Sequence, residues 1–244
     1  MLGYNKDMIK KNQTINFKAR SKTEGEVQLR PYPAVKNLPD WFTNAKPYSV
    51  TDSLTMINGV PNFTFKKCTP MLDGMSAGYI IPLWTDIFIE IKDNNPIISW
   101  KNQNAVFEIH GIDSQNITPP PGYTNLVFKY LSCWIPETPK GYSCIFVPPL
   151  GHHDIPFRPI PAIVDTDRSK LEIVQPMWLQ KDFTGIVEKG TPLVQVIPFK
   201  RDDWNSTFDY YEDGYYHNVV AEKNFRGTIV GNYIKNHWSK KRFT

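Results

Sequence analysis

The sequence predicts a mainly β protein, and three observations carry that reading. Twenty-one prolines scattered through 244 residues cut the chain into stretches too short for long helices. Aromatic residues make up 14% of the chain and, with β-branched residues, fill the gaps between those prolines. Within the gaps apolar side chains recur with a period of two, as in DIFIEIK over residues 86–92. Hydrophobic residues at 41% and charged residues at 21% are globular values, and a chain of this length buries a sizeable core without staples.

Taken in order, residues 1–30 are polar and basic with a weak period, and read as an N-terminal arm that packs on something or stays loose. The stretch RPYPAVKNLPDWF that follows holds three prolines and reads as an extended strap whose Trp41–Phe42 pair plugs an apolar surface, or as one with a short helical turn after Pro39. Strands are expected at 62–67 (NFTFKK), 79–83 and 86–92, and a hairpin from 97–101 and 105–110 around the polar KNQN. The triple proline in SQNITPPPGYT marks a loop. Further strands are expected at 126–134, 143–147, 162–164, 171–174, 183–188 and 193–199, with a proline-rich loop over 148–161. Residues 202–217 are acidic and aromatic, and 219–238 form the best helix candidate, with Phe225, Ile229, Tyr233 and His237 four residues apart. The organisation is therefore a basic arm (1–30), a β-rich core domain (31–201), and an acidic-aromatic loop with a basic C-terminal helix packed on the core (202–244).

Charge and cysteine usage narrow the function classes. The net charge of +4 is mild and collects at the two ends, which reads as solvated tails and argues against a nucleic-acid grip. No apolar run approaches the roughly 18 to 20 residues of a membrane-spanning helix, and residues 1–11 lack the apolar segment of a signal peptide. Neither a membrane span nor secretion by a signal peptide is expected. Cys68, Cys133 and Cys144 show no C-x-x-C spacing, so buried thiols are expected in place of a zinc ribbon or disulfide framework.

Few residues carry chemistry. His152-His153-Asp154 invites a metal reading, because His152 and Asp154 share a face of an extended segment, although a third ligand is not fixed by spacing. Asp165 and Asp167 in PAIVDTDRS likewise share a face at a strand end, where two carboxylates suit Mg²⁺ or a water aimed at phosphorus, or simply cap a turn. Glycine patterns of phosphate loops, dinucleotide folds and hydrolase elbows are absent from the sequence.

The succession of motifs around that acid pair resembles the dUTPase and dCTP deaminase family. Ala77-Gly78-Tyr79, the DIFIEI strand, Pro139-Lys140-Gly141-Tyr142, Val147-Pro148-Pro149-Leu150-Gly151, PAIVDTD and Lys189-Gly190-Thr191-Pro192-Leu193-Val194-Gln195 follow one another as that family's motifs do, over about residues 72–199. The resemblance implies a β-clip fold, as a barrel or sandwich with extended proline-rich loops. It places Asp165 on the water-activating acid, Asp167 on the second acid that would help hold Mg²⁺, and Gln195 on the phosphate-reaching glutamine. Tyr79, Gly151 and Arg168 fall on substrate-binding positions. The departures are Ile80 for the family's Asp, Pro149 and Leu150 for the Arg and Ser that grip phosphate, Arg168 for a Tyr, and the lack of its glycine-rich C-terminal arm. The resemblance also implies a homotrimer whose neighbouring subunits complete each other's site. More loosely, PAVKNLPDWF, KKCTPMLDGMSAGYIIP, VDTD, GTPLVQVIPFKRD and a closing N-Y-x-K-x-x-W together look like proteins encoded by tailed phages of marine bacteria, over nearly the whole chain, which implies a viral setting, in a host cytoplasm or a virion.

Two functions are therefore expected from the sequence. The first is a non-enzymatic phage module of β-clip type that works through protein contacts, as a virion component or host-directed factor, with no cofactor. Its contact residues would be Trp41, Phe42, Phe225, Tyr233 and Trp238, since Trp and Tyr anchor interfaces. The alternative is a divergent Mg²⁺-dependent nucleoside triphosphate pyrophosphatase using Asp165.

Overall fold

A computed structural model describes residues 13–47, 64–93, 95–172, 174–212, 214–215, 234–235 and 238–244. Its strands and helices follow in the order β1 (Asn16–Ala19), α1 (Lys22–Val27), β2 (Tyr32–Pro33), α2 (Asp40–Thr43), α3 (Thr69–Ser76), β3 (Tyr79–Pro82), β4 (Ile87–Lys92), β5 (Asn95–Ser99) and β6 (Phe107–Gly111). Then come α4 (Ile112–Gln115), β7 (Leu126–Leu131), β8 (Trp134–Glu137), β9 (Tyr142–Val147), β10 (Phe157–Pro159), β11 (Ala162–Val164), β12 (Val174–Leu179), β13 (Gly185–Val187) and β14 (Pro192–Lys200). Strand at 35% outweighs helix at 16%, so the protein is mainly β, and no closed barrel forms among the described residues. No helix among them is long and apolar enough to cross a membrane.

The chain divides into two compact units. The first takes Met1–Pro31, Ile81–Pro148 and Ile155–Arg201, and the second Tyr32–Ile80, Pro149–Asp154 and Asp202–Thr244.

The first unit is built of antiparallel pairings, in the orders β10–β12–β7–β6, β13–β4–β5, β11–β9–β14 and β1–β8. Its core collects the apolar faces of these strands, including Trp84, Phe128, Tyr130, Phe146, Met177 and Leu193. Phe107 stacks on Phe157 at 4.9 Å between ring centroids and meets Phe128 edge-on, offset geometries that aromatic rings prefer. The polar tips buried with this cluster are satisfied: Tyr130 donates its hydroxyl to the Pro82 carbonyl at 2.7 Å, and Trp84 its indole N–H to that of Leu131. Burial pushes the Cys133 and Cys144 thiols up to about 11.

Within the N-terminal stretch, residues 13–30 are held by specific contacts. β1 pairs with β8, Ser21 caps α1 by accepting from the Glu24 N–H, and the Gln28 side chain accepts from the buried Cys133 N–H at 2.8 Å. Arg20 joins Glu24 and Glu172 in an ion-pair cluster.

Four local expectations are corrected. The 97–101/105–110 hairpin does not form: β5 pairs with β4, Lys92 opposite Asn95, and β6 with β7, Phe107 opposite Tyr130. Asp93, at φ +49, closes the tighter β4–β5 turn in the left-handed region that Asp tolerates. The expected strand at 62–67 is, in its described part, a 3-10 turn over Phe65–Lys67, begun by the Thr64 hydroxyl accepting from the Lys66 N–H. The strand expected at 171–174 lies instead at β12, with β10 formed inside the proline-rich loop and paired to it. The second unit also contains α3, where Pro70 occupies the first helical turn, the one place a helix accepts it. The 219–238 helix expectation falls largely outside the described residues.

Candidate functional site

The acid pair lies in the first unit, where β11 ends. The chain turns at once, with the N–H groups of Arg168 and Ser169 both donating to the Asp165 carbonyl. Thr166 is buried under this turn, its hydroxyl 2.7 Å from that of Thr138. Asp165 and Asp167 do project together, as strand alternation predicts, but they meet a cation the sequence reading missed. Arg201, the residue after β14, forks onto Asp167 with Nη1–Oδ1 at 2.8 Å and Nη2–Oδ2 at 2.5 Å. The same Nη1 donates to Ser143 Oγ at 2.8 Å and lies 3.1 Å from Asp165 Oδ1. Ser143 in turn donates to Asp165 Oδ1 at 2.7 Å, and the Gly141 N–H to Asp167 Oδ2 at 2.8 Å. Gly141 adopts φ +87, a turn geometry that a side chain would strain.

The electrostatics follow from these contacts. The Arg201 fork, then the Gly141 N–H, hold the Asp167 carboxyl well below the usual carboxylate range, while Asp167 raises Arg201. The Asp167 side chain is 3% exposed and both its oxygens are engaged; that of Asp165 is 49% exposed. A divalent cation on the pair would have to displace Arg201 from Asp167. Ser143 has its proton committed to a carboxylate and its oxygen to a guanidinium, so it is not poised as a nucleophile. Arg168 is exposed beside the turn, whereas Gln195 is fully buried on β14 and belongs to the interior. A run such as VIPFKRD, with cations just past a long strand, is the signal that points to Arg201.

Tyr79 and Gly151 belong to the second unit, which has a site of its own. Along α3, Met71, Gly74 and Met75 recur at three- and four-residue spacing and share a face. With Trp41, Phe65, Leu150, Gly151 and His153 they line an apolar groove of about 580 Å³. The short α2 splits its aromatic pair: Trp41 lines the groove half-exposed, and Phe42 is buried, so Phe42 is core and not the contact residue expected. Lys66 covers the Phe42 ring and donates to the Phe42 and Thr43 carbonyls at 2.8 and 2.9 Å, closing the C-terminal end of α2. Trp41 is fixed by its indole N–H donating to the Gly151 carbonyl at 2.6 Å and by the His153 ring stacked on it at 6.2 Å.

The two histidines of the metal reading make other contacts. His152 points Nε2 at the Asn37 carbonyl, 3.0 Å away, and His153 turns to Trp41. Among the described residues no three His, Cys, Asp or Glu side chains are grouped to hold a metal, at Asp154 or elsewhere. Tyr79 meets Phe243 edge-on and donates to the Thr244 carbonyl at 3.3 Å. Asp73 on α3 accepts from Trp238 Nε1 at 2.8 Å and Lys241 Nζ at 2.6 Å. Trp238 thus spends its N–H within its own unit, and Phe225 and Tyr233 lie outside the described residues. No family model, curated protein or solved structure matches this chain.

Proposed function

We infer that the chain is a non-enzymatic β-clip-type module, a distant relative of the dUTPase and dCTP deaminase family in a phage setting, that works by protein contacts. The single observation that carries this reading is the Arg201 fork on Asp167, which supplies from within the chain the cation that a catalytic acid pair would seek from Mg²⁺. The groove supports it from the other side. Where the family grips phosphate with Arg and Ser, Pro149 and Leu150 stand here, and Leu150 with Gly151 walls an apolar surface that suits side chains of a protein partner. A virion component or a host-directed factor has this chemistry.

The test is pyrophosphate or phosphate release from a panel of deoxynucleoside triphosphates with Mg²⁺, comparing the natural chain with Asp165→Asn. No release in either protein is the expected result. Release that vanishes in Asp165→Asn overturns the reading in favour of a pyrophosphatase using the half-exposed Asp165.

A further inference from the structure

We propose that Tyr211 and Tyr215 form an oxidative coupling site, at which a one-electron oxidant joins the two phenol rings into a dityrosine cross-link within the chain. The inference goes beyond the protein-contact reading and rests on a different feature, a stacked and exposed pair of phenols.

The sequence Tyr211-Glu212-Asp213-Gly214-Tyr215 sets up the pair. The Tyr215 N–H donates to the Glu212 carbonyl at 3.0 Å, and Gly214 takes φ +81, the left-handed value that glycine adopts without strain at the third place of such a turn. The chain therefore doubles back between the two tyrosines, and their rings stack with centroids 5.7 Å apart and planes 21° from parallel. Aromatic rings favour an offset stack at this separation. Tyr211 is 69% and Tyr215 47% exposed, so an oxidant reaches both, and both rings have room to turn on the fast timescale of exposed side chains.

Other tyrosines are placed differently. Tyr130 is buried with its hydroxyl given to the Pro82 carbonyl, Tyr79 meets the ring of Phe243, and Tyr32 accepts from Asn37. None of these contacts brings up a second phenol. Tyr210 is more exposed than either member of the pair, at 96%, and serves as the control for exposure alone.

In the coupling, each phenol gives one electron to the oxidant and its hydroxyl proton to solvent. The two ring radicals pair into a new carbon–carbon bond between carbons ortho to the hydroxyls, and the hydrogens on those carbons move to the oxygens, which restores both phenols. With hydrogen peroxide as the terminal oxidant, acting through a haem peroxidase, the O–O bond breaks and takes up the two electrons and two protons as two waters. Proximity selects the partner. A ring tethered a few residues away is present at an effective concentration of about 1 mM, so at about 1 μM protein it is met about 1000-fold more often than a ring of another chain.

The test treats the full chain, at about 1 μM, with a haem peroxidase and hydrogen peroxide, and reads dityrosine fluorescence together with peptide mapping by mass spectrometry. The natural chain should stay monomeric and yield a peptide that has lost two hydrogens, with the new bond between Tyr211 and Tyr215. Tyr211→Phe and Tyr215→Phe keep the rings and so the fold; each should lose that product, with fluorescence reduced at least about tenfold. Tyr210→Phe should leave the product unchanged. Absence of dityrosine in the natural chain, a bond mapped to other tyrosines or only between chains, fluorescence that survives Tyr211→Phe or Tyr215→Phe, or an equal loss in Tyr210→Phe overturns the proposal. None of these outcomes touches the non-enzymatic reading, which falls only to nucleotide turnover dependent on Asp165.

Discussion

Gly151→Ala should destabilise the protein by about 2–5 kcal/mol, and the structure supplies both parts of that figure. Gly151 sits at φ +83, where an L side chain costs about 1–2 kcal/mol. A Cβ there would stand 2.6 Å from Met75 Sδ, 2.9 Å from Met75 Cγ and 3.2 Å from Pro39 Cγ. Met75 is buried, so its thioether has little room to withdraw, and overpacking of this kind costs about 1–3 kcal/mol. The measurement is urea unfolding by linear extrapolation for four proteins: the natural chain, Gly151→Ala, Met75→Ala and the double variant. If the clash is with Met75, Gly151→Ala should cost only the backbone part, about 1–2 kcal/mol, once Met75 has been shortened. A Gly151→Ala chain within about 0.5 kcal/mol of the natural one, or an equal cost in both backgrounds, would refute the packing described for this wall of the groove.

Two further outcomes follow from the first unit. Gln28→Ala strands the buried Cys133 N–H and should cost about 1–3 kcal/mol in the same urea assay; an unchanged midpoint would mean that the N-terminal stretch does not hold its place on β8. The Asp167 clamp predicts a pH dependence whose sign is fixed. Its carboxyl ionises at lower pH folded than unfolded, so its stabilisation is complete above the unfolded value near pH 4 and fades as pH falls below it. Thermal unfolding followed from pH 6 down to pH 2 should therefore show an acid-side loss that is shallower in Asp167→Asn, and identical slopes would remove the clamp from the account.

Much of the β architecture is legible in the sequence because it rests on period-two patterning in short segments between prolines. Residues 86–92, 143–147, 162–164 and 193–199 fall on β4, β9, β11 and β14 for that reason. Partner choice is not written in the same way. Residues 97–101 alternate as well toward β6 as toward β4, and the Asp93 turn decides between them. α3 escapes a reading by punctuation, since Pro70 and Gly74 look like breakers until the helix is known to start just before the one and to turn the other toward the groove. Phe42 looks like Trp41 in sequence and differs only in which side of a one-turn helix it occupies. For the acid pair the sequence supplies the shared face of Asp165 and Asp167, but Arg201 is 34 residues away from Asp167 and reaches it only through the β9–β14 pairing.

That pairing is also why the acid pair and its cation act as a structural element. β14 runs antiparallel to β9, and Lys200 faces Tyr142, so Arg201 arrives beside Gly141 and Ser143 at the point where β11 releases Asp165. The Arg201 N–H donates to the Gly141 carbonyl at 2.9 Å while the Gly141 N–H donates to Asp167, so backbone and side chains interlock across three segments. A guanidinium recruits phosphate when its acceptors are water; here they are two carboxylates, a serine hydroxyl and the Tyr142 carbonyl. Opening this fork would take both guanidinium bonds from a carboxylate whose side chain is 3% exposed. The same residues that make the pair look catalytic in sequence thus make it a latch on the end of the sheet.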